Sequence, residues 1–282
     1  MIKTYTLLTK PGILMGNAIT AVSGFTLASK GHFDWLLFLA TLSGLSCVIA
    51  SACIFNNFID RNADEKMERT KDRALVKKLI PVKNAIFFAI FLGFLGFCVL
   101  TWFTPPIGVF LAGIGFFVYV VLYSFWKYHT VYATLIGSIS GAIPPVVGYC
   151  TASGHFDLGA FILFMILVLW QMPHFYSIAM YRYDDYQAAS IPVLPVKKGV
   201  YIAKIHMFLY IIAFILATIA LTAFGYTGQF YLAVTSLVGL AWLGLCIKGF
   251  QSNNNKVWGR QMFIVSLVVV NALCITMALD VA

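Results

Sequence analysis

Charged residues are scarce in this chain: Asp, Glu, Lys and Arg make up only 10% of its 282 residues. Soluble globular domains carry about 25% charged residues, so this scarcity excludes an ordinary soluble fold. Hydrophobic residues account for 61% of the sequence, and the mean hydropathy is +0.90. The composition therefore predicts a polytopic membrane protein.

Cysteine is also sparse, and its six copies show no metal-site or redox pattern. All six lie within apolar segments, and none belongs to a CxxC pair. This arrangement argues against a zinc site or a thiol redox centre, and it indicates cysteines that pack as small apolar side chains. The polar start of the chain, residues 1–11, leads directly into a segment of membrane-spanning length, so we expect no cleavable signal peptide.

Apolar windows of about 20 residues, the length that crosses a bilayer, recur along the whole chain. They fall at residues 12–29, 36–58, 84–103, 107–126, 131–150, 158–181, 205–224, 230–249 and 261–280. Short joints rich in Gly and Pro separate several windows, which favours helix hairpins. The sequence predicts an all-α bundle of about nine transmembrane helices, forming one domain over residues 1–282.

Positive charge is distributed unequally between the two sides of this bundle. With the N-terminus in the cytoplasm, 18 of the 19 Lys and Arg residues lie on the cytoplasmic side, and only Lys30 lies outside. Because this bias follows the positive-inside rule, it sets the orientation and explains the formal charge of +9 without a nucleic-acid partner.

The acidic residues indicate where a site lies. Seven of the ten fall in the two longest cytoplasmic loops, at about residues 59–83 and 182–204. Mixed charges at helix ends on one side of a bundle favour a site at the membrane boundary. We expect a central, helix-lined cavity beneath it, open to the cytoplasmic side.

One row of oxygen-bearing side chains marks the end of the second apolar window. Asn56, Asp60 and Asp64 are spaced by four residues, so on a continuing helix they share one face. Such oxygens suit Mg²⁺, which takes further ligands from water and from a substrate's phosphates. The alternative is a solvated loop with surface ion pairs, but ionisable groups here are costly unless they line a functional cavity. Nearby cations can bind the same phosphates: Arg69, Lys71 and Arg73.

The second loop carries another acidic pair. Asp184 and Asp185 are adjacent, so on a helix their side chains point about 100° apart and cannot both face one ion. We expect one of them to act with the first row. The alternative is that both are helix N-terminal charges or partners in loop salt bridges.

Two polar features, one at the end of an apolar window and one inside another, each have two interpretations. Tyr123 and Lys127 share a helix face at the end of the fourth window, and spacing alone does not separate a site pair from an interfacial aromatic with a snorkelling lysine. His174 lies inside the sixth window beside Pro173. A lone intramembrane histidine is more often an interhelical hydrogen-bonding group than a ligand.

These features together suit the ionisation of an allylic isoprenoid diphosphate. Mg²⁺ and the cations would stabilise the departing diphosphate. A dry, aromatic-rich chamber would hold the lipid tail and shelter a carbocation from water. The residues therefore predict electrophilic alkyl transfer.

The row of Asn56, Asp60 and Asp64 matches the Asn-x-x-x-Asp-x-x-x-Asp motif of the intramembrane prenyltransferase superfamily, which the chain resembles. Within that superfamily the chain is most similar to the bacterial protohaem IX farnesyltransferase (haem O synthase) family. The similar runs are residues 60–73, 140–149, 170–174 and 185–195.

Two further positions bear on this resemblance. Tyr123 and Lys127 match the superfamily's Tyr-x-x-x-Lys element. Many relatives carry Asp-x-x-x-Asp as a second motif, whereas Asp185 is followed four residues later by Ala189. More of the metal binding must then rest on the first row.

The resemblance implies transfer of a farnesyl group from farnesyl diphosphate to the 2-vinyl group of haem B, with addition of water, giving haem O and diphosphate. It also implies a Mg²⁺-dependent enzyme in the bacterial inner membrane, with its site on the cytoplasmic side. A terminal oxidase or haem A synthase is a candidate partner besides haem, farnesyl diphosphate and membrane lipid, and the oligomeric state stays open. The implied roles are metal binding for Asn56, Asp60, Asp64 and Asp185, catalysis for Asp60, Asp64, Asp185, Tyr123 and Lys127, and substrate binding for Arg69, Lys71, Arg73, Arg182, Lys198 and His174.

Two other functions are weighed against this one. A prenyltransferase that acts on an aromatic quinone precursor would share the diphosphate end and differ in the acceptor cavity. A non-catalytic haem or lipid transporter would place polar groups near the membrane midplane in repeated halves, a pattern that the sequence lacks.

Overall fold

The computed structural model describes residues 2–282, which form helices joined by short connections. In the described chain, nine helices are long and apolar enough to cross a membrane: α2 to α7 and α10 to α12. The predicted all-α fold with nine membrane helices is confirmed. The bounds are α1 Ile2–Leu8, α2 Pro11–Ser29, α3 Trp35–Asp64, α4 Val82–Phe103, α5 Pro106–Trp126, α6 Ala133–Ser153, α7 Leu158–Tyr181, α8 Tyr183–Ala188, α9 Leu194–Lys198, α10 Val200–Ala223, α11 Gln229–Lys248 and α12 Asn255–Leu279.

The two long connections are shorter than the sequence predicts. Helix α3 continues to Asp64, so residues 59–64 of the predicted loop 59–83 are helical. The predicted loop 182–204 contains α8 and α9, and α10 already begins at Val200. The second apolar window ends before the first charged residues, whereas α3 continues through Asp60, Arg61 and Asp64.

Local sequence sets several helix starts. Pro11 and Pro106 occupy the first turns of α2 and α5, where a missing N–H is tolerated. The side chain of Asp34 accepts the N–H of Leu37 at the start of α3, which is N-capping. With helices that begin at such defined positions and short connections between them, most backbone polar groups are hydrogen-bonded within helices, as a bilayer requires.

Glycines allow the central helices to approach closely. A Cβ at Gly24 of α2 would overlap the carbonyl of Pro145 in α6, and a Cβ at Gly148 of α6 would overlap the carbonyl of Ala21. Small residues at such crossings are typical of membrane helix pairs. The second half of α2 is thereby packed closely against α6.

The membrane helices alternate in direction. One end of the bundle is where α3, α5, α7 and α11 finish and where α2, α4, α6, α10 and α12 begin. We call this the site end, because Asp64 and the neighbouring charged connections lie there. The other end, which carries Lys30, Asp34, Asp157 and Asp280, is the opposite end.

Candidate active site

The oxygen-bearing row lies on the last turns of α3 and is buried. Asn56 is 3% exposed, Asp60 7% and Asp64 2%. The helix is continuous through all three residues, so the four-residue spacing places their side chains along one face, as predicted. Buried carboxylates require partners, because transfer of an ionised group out of water is costly.

Three cations from three different segments supply those partners. Lys10, between α1 and α2, donates from Nζ to Asn56 Oδ1 at 2.5 Å. Lys127, directly after α5, forms an ion pair with Asp60 Oδ1. Arg73, in the connection between α3 and α4, donates from an Nη atom to Asp64 Oδ2 at 2.5 Å.

The charges in this cluster do not cancel. Three cations face two carboxylates and one neutral amide, which leaves one positive charge in excess. Burial lowers the pKa of the Lys10 ammonium to about 8, and burial also lowers the pKa of Lys127 although Asp60 opposes that shift. At both ammonium groups, the cost of burial outweighs the effect of the nearby carboxylates. A bound polyanion would stabilise their charged forms.

Lys127 lies inside the site rather than at a bilayer surface. Its residue is 8% exposed, and its Nζ lies 5.6 Å from the ring centroid of Tyr123 and 5.0 Å from that of Tyr128. The hydroxyl of Tyr128 donates to Asp60 Oδ1 at 3.0 Å. The pairing of Tyr123 with Lys127 on one face is confirmed, and this burial contradicts the snorkelling alternative.

An irregular segment of α5 orients the amide of Asn56. Residues Val118–Tyr123 are π-helical, and such segments are frequent at functional sites. Ser124 follows the π-helical turn and donates from Oγ to the carbonyl of Tyr119 at 3.1 Å. The Nδ2 of Asn56 donates to this Ser124 Oγ at 3.4 Å, so its Oδ1 is left to face Lys10.

The second acidic pair divides as the helical geometry predicts. Asp184 is exposed and pairs with Lys256 at 3.3 Å. Asp185 is 8% exposed, accepts the backbone N–H of Glu68 at 2.9 Å and lies 3.9 Å from Arg182. The buried member thus ties the start of the α7–α10 connection to the segment that follows Asp64.

Ala189, at the position where many relatives carry a second aspartate, has a packing role here. It is 8% exposed and forms a small buried cluster with Met67 and Ile191. Tyr128 and Tyr186 pack against that cluster. The two connections are therefore joined by apolar contact at this point, and position 189 supplies no carboxylate to act with Asp185.

The remaining predicted cations lie at the rim. Arg69 and Lys198 are exposed, and Lys71 forms an ion pair with Glu68 at 2.6 Å. Within residues 2–282, no hydrogen bond or ion pair joins these three side chains to the α3 row. The structure brings Arg73 and Lys127 to the row, but not Arg69, Lys71 or Lys198.

His174 has a structural partner inside the bundle. Its Nδ1 lies 2.7 Å from the hydroxyl of Ser266 in α12, and its ring stacks on Trp170 at 4.7 Å. Trp170 in turn donates to the Ser266 carbonyl at 2.9 Å. These contacts match the interpretation of His174 as an interhelical hydrogen-bonding group. Its predicted contact with porphyrin stays a prediction.

The α3 row fits Mg²⁺ held together with a diphosphate. In the described part of the chain, no group of three or more His, Cys, Asp or Glu side chains is placed to hold a metal ion alone. Mg²⁺ does not need such a cage, because one or two carboxylates suffice when substrate phosphates supply further ligands. Asp60, Asp64 and the Asn56 amide oxygen are hard donors of that kind. Asp185 is less free, since it already accepts a backbone N–H.

Sequence reasoning missed three residues at this site. Lys10 counted only toward membrane orientation, and Ser124 and Tyr128 received no role. The positions of Lys10, directly before the first membrane helix, and of Tyr128, beside Lys127, were weak signals. For Ser124 no sequence signal existed, because its role depends on the π-helical turn.

Comparison with known proteins gives a family match over most of the chain. Residues 17–268 match the UbiA prenyltransferase family. The chain is 53% identical to a protoheme IX farnesyltransferase of Cronobacter sakazakii and 54% identical to one of Sodalis glossinidius, over 99% of this chain and 95% of each relative.

Solved structures share the fold at low sequence identity. One, from work on digeranylgeranylglyceryl phosphate synthase, has a TM-score of 0.81 at 16% identity and covers 99% of this chain and 97% of that one. A UbiA homologue from Archaeoglobus fulgidus, bound to GPP and Mg²⁺, has a TM-score of 0.69 at 15% identity, covering 97% and 99%. The fold, the α3 row and the family match agree: the chain belongs to the UbiA prenyltransferase family.

Proposed function

We propose that this chain transfers a farnesyl group from farnesyl diphosphate to the 2-vinyl group of haem B, with addition of water, giving haem O and diphosphate. The observation that carries the proposal is the buried α3 row faced by three cations, in a chain about 53% identical to protoheme IX farnesyltransferases over nearly its full length. The row accounts for the diphosphate end of the reaction, and the similarity supports the acceptor.

Asn56, Asp60 and Asp64 would hold Mg²⁺ together with the diphosphate, and Asp185 supports this arrangement from the second connection. When bound, Mg²⁺ neutralises charge that develops on the leaving diphosphate. The Mg²⁺- and GPP-bound homologue from Archaeoglobus fulgidus supports a metal of this kind. Lys10, Arg73 and Lys127 would then exchange their present partners for diphosphate oxygens. At the rim, four cations would draw the anion in: Arg69, Lys71, Arg182 and Lys198.

Aromatic rings adjoin the point where the carbon–oxygen bond would break. Tyr119 and Tyr123 stack with 5.6 Å between ring centroids, and Tyr123 lies beside Lys127. The face of an aromatic ring attracts a cation. We infer that Tyr123 stabilises the farnesyl cation after diphosphate departs, while the apolar bundle excludes water.

For the acceptor, we propose that His174 borders the porphyrin chamber. It lies seven residues before the end of α7, which places it roughly 10 Å into the bundle from the site end at 1.5 Å per residue. The side chain of His174 is held by Ser266 and stacked on Trp170. We expect His174→Ala to weaken haem binding. Haem binding and turnover at the wild-type level in this variant would remove His174 from the site.

We further propose that the site end faces the cytoplasm of a bacterial inner membrane. Its support is the excess of Lys and Arg at that end and the bacterial origin of the relatives. A terminal oxidase or haem A synthase would then be the candidate protein that receives the product.

The test is incubation of the purified protein with haem B, farnesyl diphosphate and Mg²⁺, followed by mass analysis of the extracted haem. The proposal predicts a mass gain of one farnesyl group plus one water. Unchanged haem, together with farnesylation of an aromatic quinone precursor, would identify the other prenyltransferase reaction. Binding of haem without any release of diphosphate would identify a carrier.

A further inference from the structure

Residues 2–10 form a strap that packs across the membrane helices at the site end. The strap consists of α1 and the two residues that join it to α2. Leu8 is 2% exposed and belongs to an apolar cluster with side chains of α3 and α4. Tyr5 contacts the ring of Phe88 edge-on, with 5.4 Å between centroids. The strap is thus a packed element of the site end.

Asn57 anchors this strap to α3. Its Nδ2 donates to the carbonyl oxygen of Leu8 at 2.8 Å, between residues 49 positions apart in the chain. Asn57 is 4% exposed, and its Oδ1 has no hydrogen-bond partner in the described structure. A buried polar atom left unpaired is unfavourable. The bond to Leu8 therefore holds this amide while its other polar atom stays unpaired.

The strap ends in a strained residue that reaches the α3 row. Lys10 has φ 53° and ψ 70°, a left-handed conformation that normally favours glycine. From this position its Nζ donates to Asn56 Oδ1, and Ser124 holds the other end of that amide. Strain of this kind persists where surrounding structure enforces it, and functional sites are common locations. Glycine would relieve the strain but remove the ammonium group.

We propose that Asn57 is a positioning residue, which fixes the strap through Leu8 and so places the Lys10 ammonium against the diphosphate-binding row. The inference rests on the proposed function and adds the route by which the N-terminal segment takes part in it. Because Asn57 acts through Lys10, its effect falls on diphosphate affinity. Acceptor affinity is not its target.

The experiment measures the dissociation constant for farnesyl diphosphate in the presence of Mg²⁺, without haem, together with the unfolding temperature. The variants are Lys10→Met, Asn57→Ala and the double variant. We expect Lys10→Met to weaken binding about tenfold, as expected for loss of one charge-assisted contact to phosphate. Asn57→Ala weakens it several-fold, and the double variant matches Lys10→Met, because residues in one chain of contacts are not additive.

Three further variants separate positioning from general damage. Asn271→Ala is the matched control, since Asn271 also donates its side-chain N–H to a leucine carbonyl, at 2.8 Å, but from an exposed position on α12; it should bind like the wild type. Asn57→Leu removes the donor at similar size and serves if the alanine variant does not fold. Lys10→Gly should bind as weakly as Lys10→Met without a lower unfolding temperature.

Wild-type affinity in both Asn57 variants would overturn the inference. So would a double variant whose loss equals the product of the two single losses, because Asn57 would then act independently of Lys10. A wild type that binds farnesyl diphosphate but never farnesylates haem would refute the proposed acceptor. The dissociation constants for farnesyl diphosphate would still decide whether Asn57 acts through Lys10.

Discussion

The acidic residues at the two ends of the bundle have different partners. At the opposite end, Asp34, Asp157 and Asp280 each accept a backbone N–H near a helix start, from Leu37 at 3.0 Å, Ala160 at 3.0 Å and Tyr231 at 2.7 Å. At the site end, Asp60 and Asp64 are buried on α3 and face the side-chain cations Lys127 and Arg73.

The difference in partner predicts a difference in function between the two sets of acids. A backbone N–H at a helix start cannot move, so an acid bound to it holds the fold. A lysine or arginine side chain can rotate away and bind a ligand's phosphate instead. Asp185 combines both kinds of partner, since it accepts the Glu68 N–H and lies near Arg182. The kind of partner that each aspartate has therefore predicts how strongly its substitution affects activity.

The largest effect is expected for Asp60→Asn and Asp64→Asn. Each substitution keeps the side-chain shape and removes a carboxylate that we propose holds the metal together with the diphosphate. We expect farnesyl transfer to fall by about 10²–10³-fold or more, the loss typical of a deleted electrostatic contact to the transition state. Steady-state rates in purified membranes check this, with the unfolding temperature as the control for folding. Retained activity in either variant would refute the assignment of that aspartate as a metal ligand.

For Asp157→Ala at the opposite end, we expect the reverse pattern: folding stability falls and activity is unchanged. This variant loses the cap of α7 and the acceptor of the Tyr149 hydroxyl, which donates to Asp157 at 2.9 Å. Loss of an N-cap costs roughly 1 kcal/mol of folding stability, so thermal unfolding in detergent should shift down by about 2–4 °C. The KM for farnesyl diphosphate and the KM for haem B should both equal those of the wild type at 25 °C. A changed KM for farnesyl diphosphate would break the division between the two ends.

Asp185→Asn is expected to be intermediate. The asparagine can still accept the Glu68 N–H, so the contact between the two connections survives. Without its negative charge, residue 185 gives less support to the bound Mg²⁺ and diphosphate. We therefore expect the KM for farnesyl diphosphate to rise about tenfold, with folding stability unchanged. A loss as large as that of Asp64→Asn would show that Asp185 is a full metal ligand despite the missing second aspartate.

The smallest effect is expected for Asp184→Ala. Asp184 is exposed, and its ion pair with Lys256 is also exposed. Surface ion pairs contribute little, so rates should stay within about twofold of the wild type. Rates measured beside those of Asp185→Asn test the claim that only one of two adjacent aspartates serves the site. An equal loss in both would contradict the observed geometry.

Much of this arrangement could be predicted from the sequence. A bilayer fixes the length and polarity of each crossing, so the nine helices followed from composition. The four-residue spacing of Asn56, Asp60 and Asp64 gave the row directly, because it depends only on helical geometry. The end of α3 at Asp64 was predicted less well, because an apolar window stops at charged residues, which the fold here buries and pairs.

The missing parts depend on contacts between distant segments. Lys10 reaches Asn56 across 46 residues, and Asn56 reaches Ser124 across 68. No local period encodes such pairs. The π-helical turn that presents Ser124 has no spacing signature either. Ala189 was recognised as a departure from the superfamily pattern, but its packing with Met67 and Ile191 needed the structure.

The most direct measurement of the central claim is a titration of farnesyl diphosphate, with and without Mg²⁺, into the wild type, Asp64→Asn and Asp157→Ala. We expect Mg²⁺ to strengthen binding in the wild type and in Asp157→Ala, and we expect this Mg²⁺ dependence to be lost in Asp64→Asn. Equal Mg²⁺ dependence in all three proteins would show that the α3 row does not hold the metal and its diphosphate.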